Sequence, residues 1–145
     1  MIWLVYAISA AAVWGLDYAL GEKVLRSKIS PVSLLTFQMA VGALFFFAVG
    51  YKTNLREDFE IVLSNRNVLW LTLGAIVSFN LGNFLIFLSI QAKNATVAGL
   101  VELCYPLFTA AFMYFLFKEN QLNTAVVIGG ILIISGIVVI SAFGN

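Results

Sequence analysis

The chain has 145 residues, of which 62% are hydrophobic and 10% charged, with a net charge of +1, no histidine and a single cysteine, Cys104. Ordinary soluble domains are about 45–50% apolar and about 25% charged, so a soluble fold of this length could not hide the apolar surface. The small charge lacks the basic stripe of a nucleic-acid binder, one thiol makes neither an internal disulfide nor a metal-ligand cluster, and without histidine the usual general base is missing, so the expectation is no nucleic acid, no metal, no cofactor and no enzyme.

Runs of about 18 or more apolar residues, at ~1.5 Å per residue, are long enough to cross a ~30 Å hydrocarbon core. Five occur: Ile2–Leu20, Val32–Gly50, Val68–Ile90, Ala95–Phe117 and Ala125–Phe143. They predict an all-α integral membrane bundle of five transmembrane helices, a single domain over residues 1–145. Ser9-Ala10-Ala11-Ala12 resembles a secretory cleavage site, but no Lys or Arg precedes it and four spans follow, so the first run is read as a retained helix.

In the first span, Trp3, Tyr6, Ala10, Trp14 and Asp17 share one helical stripe. A carboxylate at mid-membrane costs about 2.5–3.5 kcal/mol on insertion scales, so it normally faces a bundle interior or a wet cavity. Indole and phenol rings leading to an anion suit a cation; the alternative is that Asp17 reaches interfacial water while Trp3 and Tyr6 anchor the helix. Ser30-Pro31 supplies a cap and a first-turn proline for the second span. Between spans two and three, Asn54 and Glu57 have the spacing of a capping box, and Leu55, Phe59, Val62 and Leu63 fall on one face. A short interfacial helix over 55–63 is expected there, with a plain polar loop as the alternative.

The third span carries Asn80 and Asn83 on one face and Gly74, Ser78 and Gly82 roughly opposite. Interhelical hydrogen bonding accounts for the asparagines, or they line a transport path. Glu102 lies seven residues into the fourth span, on a face with Ala95, Ala98, Gly99, Tyr105, Pro106 and Thr109. Pro106 removes a backbone N–H and predicts a kink beside the carboxylate. Glu102 itself is either a pathway residue or a protonated packing group. On the fifth span Ala125, Gly129 and Gly136 form a small-residue face suited to helix packing or a dimer interface. Short turns at Lys93-Asn94 and Lys118-Glu119-Asn120 make the last three spans antiparallel neighbours.

Cytoplasmic loops normally carry the excess of Lys and Arg. Here one side holds Lys23, Arg26, Lys28 and Lys93 and the other Lys52, Arg56, Arg66 and Lys118. An even division gives no orienting instruction, and dual topology with an antiparallel homodimer in the lipid bilayer is the expectation.

Trp14-Gly15-Leu16-Asp17-Tyr18 with Lys23 resembles the Trp-Gly-x-Asn-aromatic signature and following Lys of EamA-type transporters of the drug/metabolite transporter superfamily. Cys104-Tyr105-Pro106-Leu107-Phe108 is similar to the Pro-x-Phe segment of their fourth helix, and Glu119 with Gly129-Gly130 and Gly136 to their Gly-Glu turn and glycine-rich fifth helix. The resemblance spans essentially the whole chain and implies one of the two inverted five-helix repeats of the usual ten-helix transporter. It implies a cargo site near the midplane, completed by a second copy. Gln38 stands where family members often have Arg, and Asp17 where Asn is usual; both make the bundle more negative and count against an anionic cargo.

The function expected from these readings is secondary transport of a small polar or cationic metabolite by alternating access, with proton coupling open to its carboxylates. Asp17, Glu102, Trp14, Tyr105, Asn80 and Asn83 are the expected pathway, in the cytoplasmic (inner) membrane of a bacterium or archaeon. The alternatives are a cationic drug/proton exporter of the small multidrug resistance kind and a non-transporting subunit that pairs with another five-helix chain.

Overall fold

The computed structural model describes residues 1–143. Seven α-helices follow one another among them: α1 (Ile2–Arg26), α2 (Pro31–Gly50), α3 (Leu55–Ser64), α4 (Arg66–Ala92), α5 (Ala95–Glu102), α6 (Tyr105–Phe117) and α7 (Thr124–Phe143). Five stretches are long and apolar enough to cross a membrane: α1, α2, α4, the α5–α6 pair and α7. The protein is therefore an all-α membrane bundle.

Local chemistry sets the helix ends. Ser30 Oγ accepts from Ser33 N at 3.2 Å, with Pro31 leading α2. Asn65 Oδ1 accepts from Asn67 N and Val68 N at 3.0 and 3.3 Å, which starts α4 two residues ahead of the apolar run. Asn94 Oδ1 accepts from Val97 N at 2.8 Å and opens α5. Lys118 takes the left-handed conformation, φ 61°, while its N–H and that of Glu119 donate to Tyr114 O and Met113 O, closing α6 on its last carbonyls.

Two local expectations are corrected. Asn54 makes no side-chain capping bond, so the Asn54–Glu57 capping box does not form. Its backbone, φ −97° and ψ 25°, continues the turn leaving α2 instead of adopting the extended conformation a capping residue needs. Leu55 settles over Gly50, where a methyl group would lie 3.3 Å from its side chain. The fourth span, expected as one helix over 95–117, is divided at Leu103-Cys104 into α5 and α6. Here Cys104 N donates to Val101 O and Leu107 N to Cys104 O, two successive tight turns of which the second contains Pro106, which has no N–H to donate. The expected kink is thus a break directly after Glu102.

Packing is concentrated at one end. The C-terminal turns of α1 and α4 meet the N-terminal turns of α2 and α5, burying Leu25, Leu34, Phe87, Ile90, Ala95 and Ala98 in one cluster. Phe87 is 0% and Ile90 2% exposed. Gly21 makes this closeness possible: a methyl there would stand 2.6 Å from Phe87 Cε1. Glu22 ties the same end, accepting from the first N–H of α5, Ala95 N, at 2.7 Å while pairing with Arg26. A carboxylate at a helix N-terminus meets both an orphan donor and the positive end of the helix dipole. No residue of α1 before Gly21, of α2 after Leu34 or of α4 before Phe87 is buried, and in that half hollows separate these helices.

Candidate functional site

The two hollows share a wall. One, about 510 Å³, lies between α1, α4 and the α5–α6 break, lined among others by Trp14, Tyr18, Ser78, Asn83, Glu102 and Tyr105. The second, about 770 Å³, lies between α1, α2 and α4, where Asp17 and Gln38 interrupt a surface of Phe37, Phe45, Phe46 and Phe79. Trp14, Phe79 and Asn83 border both.

Asp17 and Tyr18 are neighbours on α1 and so point about 100° apart. That step sends the Asp17 carboxylate toward α2, where Gln38 Nε2 donates to its Oδ1 at 2.7 Å. The Tyr18 hydroxyl turns toward α5 and donates to Glu102 Oε2 at 2.6 Å. Tyr18 is also held by rings, edge-on to Trp14 at 5.8 Å and to Phe87 at 6.3 Å between centroids. Glu102 is the last residue of α5 and lines the smaller hollow beside the interruption of the helix.

Both acids are half-buried and each accepts from a neutral donor. Among the described residues the ion pairs are Glu22–Arg26 and Arg56–Glu60, both at helix ends, and neither neutralises Asp17 or Glu102. A carboxylate has acceptor capacity for several hydrogen bonds, so each retains sites for a cationic group.

The structure brings Trp14, Asn83, Glu102 and Tyr105 to the smaller hollow and Trp14, Asp17 and Asn83 to the larger one. Asn80 lines neither, and its amide donates to Ile76 O at 2.8 Å. Asn83 likewise donates to Phe79 O at 2.8 Å, so these amide donors serve their own helix rather than a neighbouring one. Gly129 and Gly136 would meet nothing within 4 Å with a methyl added, whereas neighbouring Gly130 packs on Leu107 of α6. Ala125 is exposed. Among the described residues no group of three or more His, Cys, Asp or Glu side chains could hold a metal ion.

Two residues of the site and one tie of the packed end were not among those expected as pathway. Tyr18 and Gln38 stood only as parts of a resemblance, since nothing local says that they grip Glu102 and Asp17 from 84 and 21 residues away. Glu22 offered only its i,i+4 spacing to Arg26, and its bond to Ala95 spans 73 residues.

Comparison with protein families matches the model of the EamA-like transporter family to residues 1–142. No curated protein and no solved structure matches the chain.

Proposed function

The chain belongs to the EamA-like transporter family, and we propose that it is a secondary transporter of a small polar or cationic metabolite, working as an antiparallel homodimer by alternating access. The observation that carries this reading is the pair of half-buried acids, Asp17 and Glu102, each at a hollow, held by a neutral donor and without a neighbouring cation. An unneutralised carboxylate away from bulk water favours a proton or a cationic cargo in place of the missing charge. Exchange of one for the other couples transport to protons. Trp14, Tyr105 and Asn83 border the route, and Asn80 lies one turn of α4 from Asn83.

The hollowed half of the protomer supports the assembly. A site bordered by helices with hollows between them is completed when an inverted second copy supplies the facing wall. The even division of Lys and Arg between the two ends permits both orientations in one membrane, the cytoplasmic membrane of a bacterium or archaeon in this reading.

Uptake and efflux by purified protein in proteoliposomes, screened against amino acids, amines and drugs at two pH values, tests the proposal. Asp17→Asn and Glu102→Gln keep size and remove titration, so at least one abolishes pH-driven transport while dimerisation and thermal stability stay near wild type. Transport with unchanged pH dependence in both variants overturns it. A second reading, export of lipophilic drug-like cations, is favoured by the four phenylalanines around Asp17. It predicts that lipophilic ammonium compounds outcompete small amines in the same screen.

A further inference from the structure

Tyr18 and Ile86 both line the smaller hollow and pack against the buried end, and of the two only Tyr18 carries a polar group. Its hydroxyl holds Glu102, and its ring lies edge-on to Trp14 of the hollow wall and to Phe87. Gly99 of α5 lies under the same ring, where a methyl would come within 3.4 Å of Tyr18 Cδ2. Phe87 in turn fills the notch over Gly21 at the centre of the cluster that joins α1, α2, α4 and α5. The ring is therefore held both by a hydrogen bond to the site and by contact with the plug of the packed end.

We propose that Tyr18 is a positioning residue that links the occupancy of Glu102 to closure of the packed end. The link rests on the reading of Glu102 as a cation-binding group. A hydrogen bond to a carboxylate is about twice as strong as one between neutral groups, so the empty, charged Glu102 holds Tyr18 and the closed packing firmly. A cation bound at Glu102 competes for the oxygen that Tyr18 uses. The hydroxyl is released, the ring loses its anchor, and Phe87 loses one wall of its socket. The closed end is then free to separate, as alternating access requires when cargo is aboard. In the empty protein the bond favours closure.

Spin labels across the packed end read this directly and need no knowledge of the cargo. Lys23→Cys and Lys93→Cys are placed in a Cys104→Ser background, since Lys23 and Lys93 are exposed at the ends of α1 and α4. The distance distribution is then measured in lipid. Tyr18→Phe removes one oxygen and keeps the ring. The expected result is a roughly tenfold higher ratio of open to closed distances, the equilibrium change for losing one hydrogen bond to a charged group. Glu102→Gln keeps a neutral acceptor and shifts the ratio in the same direction by less. The double variant opens no further than Tyr18→Phe alone, because both changes act on one bond.

Distances unchanged in Tyr18→Phe overturn the link, as does opening in Tyr18→Phe with none in Glu102→Gln, or additive opening in the double variant. Should Tyr18→Phe fail to fold, Glu102→Gln carries the test from the other partner of the bond. The transport assay stands apart: flux lost in Glu102→Gln with the labels unmoved sinks the link and keeps the transport reading. Labels that shift while flux persists do the reverse.

Discussion

The two ends of this bundle are built from the same apolar residue types and hold together differently. At the packed end, four helix termini close on Phe87 and Ile90 with glycine and alanine as their floor. In the hollowed half, rings of the same size such as Phe46, 70% exposed, face outward or into the hollows. Water does not explain the difference, since lipid tails solvate an exposed phenylalanine as well as protein does, and helices in a bilayer associate through van der Waals fit and hydrogen bonds. What separates the ends is the close approach that Gly21 permits and the polar tie from Glu22 to the first N–H of α5. The hollowed half instead spends its polar groups on the walls of the site. The buried cluster and the candidate site thus lie at different levels of the same helices, with Tyr18 in contact with both.

The sharpest way to break this comparison is to remove the plug. Phe87→Ala is expected to cost about 3 kcal/mol, the lower end of the range for Phe→Ala, because the side chain unfolds into a micelle and the loss is mainly the cavity left behind. Phe46→Ala is expected to stay within about 0.5 kcal/mol of wild type, as outward-facing substitutions do. Reversible unfolding in mixed detergent micelles measures both, and equal losses would show that the ends are equally packed.

Glycine gives the next contrast. Gly21→Ala forces a methyl to 2.6 Å from the Phe87 ring, inside a filled cluster. Overpacking of this kind costs about 1–3 kcal/mol. Gly82→Ala, with nothing within 4 Å, is expected to be neutral or stabilising by up to about 1 kcal/mol through helix propensity. The same unfolding assay ranks the two, and a stable Gly21→Ala protein would mean that Phe87 does not need the notch.

A smaller effect is expected at the local cap of α5. Asn94→Ala removes the acceptor for Val97 N and should cost about 1 kcal/mol, the usual worth of an N-terminal cap. Backbone hydrogen exchange at the start of α5 should rise with it, while exchange at the start of α2, capped by Ser30, stays constant.

The smallest effect on the protomer is expected at Gly129 and Gly136, where a larger side chain meets nothing of its own chain within the first methyl. Gly129→Leu and Gly136→Leu should leave unfolding of the protomer almost unchanged and shift the detergent-solubilised protein from dimer toward monomer. Val138→Leu, on another face, should leave the dimer intact. Dimer fractions that agree across all three variants would place the interface elsewhere.

The sequence by itself determined the number of spans and, apart from the end of α1, their limits to within about two residues, because these follow from local quantities. Apolar length against bilayer thickness decides a span, and a side chain one to three residues from a bare N–H decides a cap, as Ser30 does. It also marked Asp17 and Glu102 as unusual, since a carboxylate among apolar residues is conspicuous whatever surrounds it. It misjudged Asn54, whose spacing suited a cap but whose backbone follows the turn out of α2, and it anticipated a bend at Pro106 where the helix breaks in two. Only the tertiary structure decided which neighbours the acids have, that Gly130 rather than Gly129 or Gly136 packs within the chain, and that Gly21 receives Phe87. Each of these depends on the angle and separation at which distant helices meet. Those are set by the fit of many side chains at once, and no single stretch of sequence encodes them.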